Sequence, residues 1–416
     1  MKRAFSFLLI IFTATCYSVE QAEEIFKQFV PSLYQIRLID KASGEKSSIG
    51  SGFQISSDGL LATNYHVISN FARHPNKYKI EFLDHQGLKG ELSLVSVDVI
   101  NDLALVKRQV DSNMPFFPIS TTAPVKGEEL YSLGNPHDLG MIVVPGTYNG
   151  LKKESFNERI HFTGSVNSGM SGGPVVNQNS EVVGINVATS GNQIGFLVPH
   201  QKLLALYSAY LTSPPDNIEH QMSVQLSNNQ QKLIASILAS DWQKKSLGQG
   251  YIPSIDVPFL RCWGESNADK PDSLILAVVA NCSLDENTYL SSHFFTGSLE
   301  MEFRYMKAKE LSDNKFYHLY EKHIRRAGPG NKASKEDVSE YQCHHDLIKP
   351  TEDINNKSIF CTRGYIDFPQ LFDVLYLGAS IDKNDQALVS HFTIAGIEKT
   401  TALSFTKKFM EAVTWK

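Results

Sequence analysis

The sequence has little of several features that mark other classes of protein. Its 416 residues hold 39 Lys and Arg against 44 Asp and Glu, and the net charge of −5 provides no basic surface that would favour nucleic acid. No apolar run approaches the ~20 residues of a membrane-spanning helix. The hydrophobic fraction of 42% and the charged fraction of 20% are those of an ordinary globular protein. We therefore expect neither a nucleic-acid partner nor a stable membrane span.

Cysteine is also scarce, and the positions of the five cysteines are informative. Cys16 closes an apolar segment at the start of the chain. The other four lie in the second half: Cys262, Cys282, Cys343 and Cys361. In an exported chain, four clustered cysteines imply two disulfides. Three pairings are open, and we favour first with second and third with fourth because those loops are short. The alternative is a metal site at residues 343–345, a Cys-His-His run that lacks the close cysteine spacing of zinc sites.

The first residues have the composition of an export signal. Lys2 and Arg3 precede an apolar segment at residues 4–14, and small residues follow at Thr15 and Ser18. We predict a signal peptide over residues 1–18 and a mature protein in a periplasm or outside the cell. A buried N-terminal helix is one alternative. A lipoprotein signal ending at Cys16 is another, although residues 13–15 lack the pattern expected before a lipidated cysteine.

The chain is too long for one hydrophobic core and suits two domains. Between residues 33 and 198, short β-type segments alternate with turn residues and no long helix intervenes, which predicts antiparallel barrels. Residues 212–217, with paired prolines, read as a linker. We therefore predict a first domain over 19–212, a linker over 213–218 and an α+β domain of unknown role over 219–416.

Three short segments carry the residues of nucleophilic catalysis: 63–67 with His66, 101–105 with Asp102 and 167–174 with Ser171. A serine hydroxyl needs a base to accept its proton, and that base needs an acid partner that fixes its tautomer. The order His, Asp, Ser is that of the double-barrel serine proteases. Taken singly, each residue also has a structural interpretation, as a hydrogen-bonded histidine, a turn residue or a loop hydroxyl. Taken together, the three predict a serine endopeptidase.

Further segments resemble the trypsin-like peptidases of the HtrA/Deg type. The matching segments occur in the family's order, at residues 50–55, 58–64, 101–107, 133–136, 143–146, 182–186 and 194–199. Spacings of 36 residues from His66 to Asp102 and 69 from Asp102 to Ser171 accompany them. The resemblance covers about residues 20–210 and implies an all-β, chymotrypsin-like double β-barrel there. It implies nothing about the second half, in which we recognise no family.

The resemblance also implies roles for individual residues. Ser171 is the expected nucleophile, His66 its base and Asp102 the partner of the base. The backbone N–H groups of Gly169 and Ser171 are the expected oxyanion hole, because the glycine backbone tolerates a conformation hostile to a Cβ.

Two positions depart from the family pattern. Met170 replaces the usual Asn or Asp, which we expect to alter loop packing and not activity. Val187 replaces a threonine whose hydroxyl can bond the triad aspartate, so we expect Asp102 to rely on other donors.

The resemblance further implies a substrate pocket with Ser165 at its floor and Thr189 and Gly195 on its walls. A neutral floor excludes the carboxylate that an Arg- or Lys-cleaving enzyme needs. We expect a small or medium apolar P1 residue such as Val, Ala or Leu. The alternative is that these residues simply end strands.

These observations predict an exported serine endopeptidase that cleaves protein or peptide substrates without a cofactor or a metal. The alternative is a protease-fold binding or chaperone-like module with little or no turnover. A third hypothesis makes the second half a divergent PDZ domain, for which residues 248–252 are a poor match. The oligomeric state stays open.

Overall fold

The structure, a computed structural model, describes residues 16–189 and 194–416. Helix α1 (Cys16–Phe29) precedes a closed antiparallel barrel. Its six strands are β1 (Leu33–Asp40), β2 (Lys46–Gln54), β3 (Leu60–Thr63), β4 (Tyr78–Leu83), β5 (Lys89–Asp98) and β6 (Leu103–Lys107). They hydrogen-bond in the order β1-β2-β3-β6-β5-β4, and β4 closes the barrel onto β1. Helix α2 (Tyr65–Arg73) follows β3 directly.

A second closed barrel of six antiparallel strands follows. Its strands are β7 (Glu129–Gly134), β8 (Ile142–Leu151), β9 (Ile160–Thr163), β10 (Pro174–Val176), β11 (Val182–Thr189) and β12 (Gly195–Pro199). Helix α3 (His200–Thr212) closes this part of the chain. The expected chymotrypsin-like double barrel is confirmed. Closure of each barrel leaves no exposed strand edge, which is how antiparallel proteins of this size avoid edge-to-edge association.

One hydrophobic cluster contains residues of both barrels. Phe53 and Leu105 of the first barrel pack with Leu133 and Val198 of the second, and Phe29 of α1 joins them. Residues 1–15 of the predicted signal peptide lie outside the described residues. Among the described residues, no helix is long and apolar enough to cross a membrane.

The rest of the chain is a mixed helix and strand domain, in agreement with the expected α+β class. Its helices are α4 (Ile218–Ala239), α5 (Asp313–Ile324) and α6 (Lys399–Glu411). Its first strands are β13 (Trp242–Leu247), β14 (Gly250–Ile255), β15 (Leu260–Ser266), β16 (Ile275–Leu284), β17 (Thr288–Ser291), β18 (Phe294–Thr296) and β19 (Leu299–Ala308). The later strands are β20 (Gln342–Thr351), β21 (Ile354–Gly364), β22 (Phe372–Ile381), β23 (Gln386–Ile397) and β24 (Thr414–Trp415). Helix α4 begins at Ile218 because Asn217 caps it by accepting from the His220 N–H at 3.0 Å.

A seven-stranded antiparallel sheet in the order β15-β16-β19-β23-β22-β21-β20 is the centre of this domain. Side chains alternate between its faces with the two-residue period of a strand. Phe303 and Phe392 face α4 and α6, while Leu377 and Val389 face α5. Helices therefore cover both faces of the sheet.

Two disulfides join neighbouring strands, Cys262–Cys282 between β15 and β16 and Cys343–Cys361 between β20 and β21. This is the pairing that we favoured from the sequence because the loops between these cysteines are short. Each bond ties an edge strand of the large sheet to the next strand inward. The sulfur of Cys343, which the alternative metal site required, is used in a disulfide.

Candidate active site

His66 lies at the start of α2, where the chain leaves the first barrel. Tyr65, Val67 and Ile68 are buried in the barrel core, so the helix is fixed by the residues on both sides of His66. The imidazole is left partly exposed, at 29% of its side-chain surface. Helix α2 therefore buries one side against the barrel core and leaves the His66 imidazole accessible in a defined position.

Asp102 lies in the turn between β5 and β6 and is directly bonded to His66. One carboxylate oxygen lies 2.6 Å from His66 Nδ1, and the other accepts from the His66 backbone N–H at 2.8 Å. The backbone of Asp102 has φ of 62°, a left-handed conformation that Asp tolerates better than most residues. The Asn64 side chain donates to the Asp102 carbonyl at 2.8 Å and supports this turn.

The environment of His66 acts on its pKa in two opposing ways. Burial lowers the pKa, but the charge of Asp102 and its hydrogen bond raise it by more, so the pKa of His66 is raised overall. The imidazolium is thus stabilised by its partner.

Ser171 lies in the loop between β9 and β10, and glycines bring this loop against the first barrel. Gly172 has φ of +84°, and a Cβ there would lie 2.3 Å from Ser51 O and 2.9 Å from Asn64 N. The backbone of Ser171 accepts from the Ser51 N–H at 2.7 Å. Only glycine permits this approach, which carries Ser171 to the segment that precedes His66.

The Ser171 hydroxyl itself points to the Val187 carbonyl, at 3.5 Å. Among the described residues, the hydrogen bonds of Ser171 do not include one to His66. The structure therefore joins His66 and Asp102 by a direct bond and places the Ser171 loop against the segment that precedes His66.

The loop before Ser171 leaves two N–H groups free. The Ser168 carbonyl accepts from the His137 N–H at 2.9 Å, and in a planar trans peptide the next N–H, that of Gly169, points the opposite way. Gly169 has φ of +93°, and a Cβ there would lie 2.4 Å from Asn135 O. Within residues 16–189 and 194–416, neither Gly169 N–H nor Ser171 N–H donates to a protein acceptor. The Ser51 hydroxyl fixes this loop by donating to the Gly169 carbonyl at 2.7 Å.

The two departures from the family pattern have visible consequences. Met170 is fully buried among Phe162, Val175 and Leu197 in the core of the second barrel, which is a packing role. Val187 offers no hydroxyl, and Asp102 is instead bonded by the backbone and side chain of His66.

The residues assigned to the substrate pocket lie near one another in the second barrel. Gly195 pairs with Phe162 of β9 on one side and with the Thr189 backbone on the other. A Cβ on Gly195 would lie 2.9 Å from Val166. Ser165 follows β9 and is exposed. The side chain of Thr189 lies outside the described part of the chain.

The sequence did not indicate that the C-terminal domain borders this site. Tyr289 of β17 stands beside His66, with ring centroids 6.1 Å apart and ring planes at 75°. Leu290 and Phe294 continue the core of the first barrel, and the Tyr65 hydroxyl donates to the Leu290 carbonyl at 3.2 Å. The aromatic residues of 288–296 predict a hairpin, but no local pattern tells where a hairpin docks.

Arg73, at the end of α2, fastens the same interface. Its guanidinium lies 2.6 Å from Asp337 and 2.7 Å from Asp367, both in the C-terminal domain, and over the ring of Phe294. On the second barrel, Glu286 accepts from the Asn157 N–H at 3.2 Å. The C-terminal domain therefore contacts both barrels next to the candidate site.

The double-barrel part of the chain is similar in sequence to known proteins. A family model described as a trypsin-like peptidase domain matches residues 50–185. "Serine protease HTR4" of Rattus norvegicus is 30% identical over 199 residues, which is 45% of this chain and 40% of that protein. The "Probable periplasmic serine endoprotease DegP-like" of Chlamydia trachomatis is 33% identical over 161 residues, or 36% of this chain and 31% of that protein.

Among solved structures, the serine endoprotease from Yersinia pestis matches with a TM-score of 0.40 and 26% identity, over 46% of this chain and 67% of that one. The chain spans about 40% of the length of the first curated relatives it matches. The double-barrel part of the chain is thus similar to a trypsin-like peptidase domain and to curated serine proteases of the HtrA type.

Proposed function

We propose that the protein is an exported serine endopeptidase that cleaves peptide bonds of protein substrates through an acyl-enzyme. The observation that carries the proposal is the pair of hydrogen bonds between Asp102 and His66, at 2.6 and 2.8 Å, together with the approach of the glycine-bounded Ser171 loop to the segment that precedes His66. This is the chemistry that makes a serine hydroxyl nucleophilic at neutral pH.

In the proposed reaction, Ser171 Oγ attacks the scissile carbonyl while His66 Nε2 accepts its proton. His66 then donates that proton to the leaving amine, and water hydrolyses the acyl-enzyme by the reverse sequence. Asp102 holds the Nδ1–H tautomer and stabilises the imidazolium. The free N–H groups of Gly169 and Ser171 stabilise the oxyanion. No step requires a cofactor.

The substrate preference and the location of the protein are part of the proposal. Ser165 places no charge at the floor of the pocket, which supports a small or medium apolar P1 residue. The two disulfides suit an oxidising compartment, and one relative is named as periplasmic. A signal peptide over residues 1–18, followed by a protease domain over 19–212 and a separate C-terminal domain, agrees with that location.

One observation favours the alternative of a binding module with little turnover. The Ser171 hydroxyl faces Val187 O at 3.5 Å and not His66. Ser171 is half-buried, and a χ1 rotation between staggered rotamers is a small change for a serine, so the same backbone supports both functions.

Fluorophosphonate labelling separates the two. We expect the purified protein to gain one covalent adduct on Ser171, seen by intact-mass and peptide mass spectrometry, while the folded Ser171→Ala variant gains none. His66→Ala is a second control, because it leaves the hydroxyl but removes its base. Absence of labelling in a folded sample, repeated in the presence of candidate peptides, would contradict the proposal and favour the binding module.

A further inference from the structure

The C-terminal domain places one aromatic ring against the base of the candidate triad. Tyr289 belongs to β17, whose hairpin with β18 packs on α2. The ring of Tyr289 meets the His66 ring edge to face at 6.1 Å and 75°, and on its other side meets Phe295 at 5.4 Å and 82°. His66 is thus the end of an aromatic row that begins in another domain.

The hairpin that carries Tyr289 is firmly held. The backbone carbonyl of the next residue, Leu290, accepts from the Tyr65 hydroxyl, and Leu290 and Phe294 are buried. The Arg73 guanidinium lies over the Phe294 ring at 5.4 Å. Because these contacts involve the first and the last residue of α2, Tyr65 and Arg73, the hairpin and the helix form one packed unit.

The hydrogen bonding of His66 does not by itself fix the orientation of its ring. The side chain is bonded to Asp102 through Nδ1, and among the described residues this is its one side-chain hydrogen bond. A histidine held at one ring atom can still swing about its χ angles. Tyr289 occupies the adjoining space. Burial raises the pKa of its hydroxyl, a hydrogen bond with Ser69 of α2 lowers it by less, and the charge of Asp102 adds to the rise, so the pKa is raised overall and the hydroxyl stays protonated.

We propose that Tyr289 is a positioning residue, which holds the His66 imidazole toward Asp102 and Ser171, so that the C-terminal domain completes the active site. The inference rests on the proposed function, in which His66 is the base. An edge-to-face pair restricts the neighbouring ring while adding no charge to it, and a catalytic ring needs such support from its packed neighbours.

The test compares Tyr289→Phe, which keeps the ring, with Tyr289→Ala and Tyr289→Leu, which remove it. Tyr317→Ala is the matched control, because Tyr317 is an exposed tyrosine of α5 whose ring meets that of Phe316 edge to face. Two properties are measured in the full-length protein: the second-order rate constant of fluorophosphonate labelling, and the strongly deshielded proton NMR resonance of the His66 Nδ1–H bonded to Asp102.

We expect Tyr289→Ala and Tyr289→Leu to slow labelling by about two- to tenfold, the ratio that corresponds to one aromatic pair. We expect both variants to broaden or lose the Nδ1–H resonance. Tyr289→Phe should stay within about twofold of the wild-type rate, since the aromatic pair is retained. Tyr317→Ala should leave both properties unchanged. The melting temperature identifies any variant that fails to fold, and Tyr289→Leu fills enough of the space to keep the hairpin packed if Tyr289→Ala does not fold.

Wild-type labelling and resonance in folded Tyr289→Leu would overturn the inference while leaving the proposed function intact. If the wild-type protein is not labelled, the proposed function fails, and the resonance alone decides the positioning role. Loss of the resonance in Tyr289→Leu with retention in Tyr289→Phe supports that role, and retention in both overturns it.

Discussion

Arg73→Met is the change that tests most directly how the C-terminal domain is attached to the protease domain. Arg73 exposes 5% of its side chain and faces Asp337, which exposes 6%, and Asp367, which exposes 32%. Removing the guanidinium leaves the carboxylate of Asp337 buried without its partner, which costs about 3–5 kcal/mol. The more exposed Asp367 adds at most about 1 kcal/mol. Met keeps most of the apolar stem, so lost packing contributes little.

A loss of about 3–5 kcal/mol is a large part of the ~5–15 kcal/mol that usually stabilises a domain. We expect chemical denaturation to show the lower free energy of unfolding, and limited proteolysis to cut the exposed linker faster. The matched control is Arg325→Met, which removes an exposed i,i+4 ion pair with Glu321 and should change the unfolding free energy by about 0.5 kcal/mol or less.

The same ion pair predicts a pH dependence. Burial raises the pKa of Asp337, but hydrogen bonds from Ser334 and Arg73 and the charge of Arg73 lower it by more. The pKa of Asp337 in the folded protein is therefore below its unfolded value of about 3.9. The stabilisation from the Arg73–Asp337 pair is fully present above about pH 3.9 and is lost as the pH falls through the lowered pKa. A double-mutant cycle of Arg73→Met with Asp337→Asn measures the coupling directly. A coupling below about 1 kcal/mol at pH 7 would refute the reasoning, because a buried pair should exceed the exposed-pair range.

Three further predictions concern the site and the sheet. Because Asp102 raises the pKa of His66, the acid limb of kcat/KM should have its midpoint above about pH 6.5, and Asp102→Asn should move it to lower pH while reducing the rate about 10³- to 10⁴-fold. Ser165→Asp should shift cleavage in a peptide library toward Lys and Arg at P1, because the pocket floor gains a carboxylate. Replacing Cys343 and Cys361 by serine should lower the free energy of unfolding by about 3 kcal/mol, as expected for a loop of this size, without slowing fluorophosphonate labelling of the folded protein.

Each of these has its own control. Asp102→Glu keeps the charge and should retain a raised midpoint; a midpoint unchanged in Asp102→Asn would contradict the assigned pair. Ser165→Asn is the neutral match for the aspartate variant, and an active Ser165→Asp enzyme with the wild-type P1 profile would remove Ser165 from the pocket. Reduction of the wild-type protein breaks both disulfides and should lower the free energy of unfolding at least as much as the cysteine variant. Loss of labelling in the folded cysteine variant would show that this disulfide supports the site.

The double barrel and the candidate catalytic residues could be predicted from the amino-acid sequence. Short β-type segments between turn residues are a local signal, and the three segments around His66, Asp102 and Ser171 carry chemistry that depends on residue type and order. The disulfide pairing was favoured for the same kind of reason, since short separations of 20 and 18 residues keep partners on neighbouring strands.

The surroundings of those residues could not be predicted, because they depend on contacts between distant segments. The approach of Gly172 to the first barrel, the bonds of Arg73 to carboxylates 264 and 294 residues away, and the contact of Tyr289 with His66 join segments that have no shared periodicity. Local propensity and alternation specify which face of a strand or helix is buried. Which distant surface covers that face depends on shape and charge complementarity, and these exist only after both elements have folded.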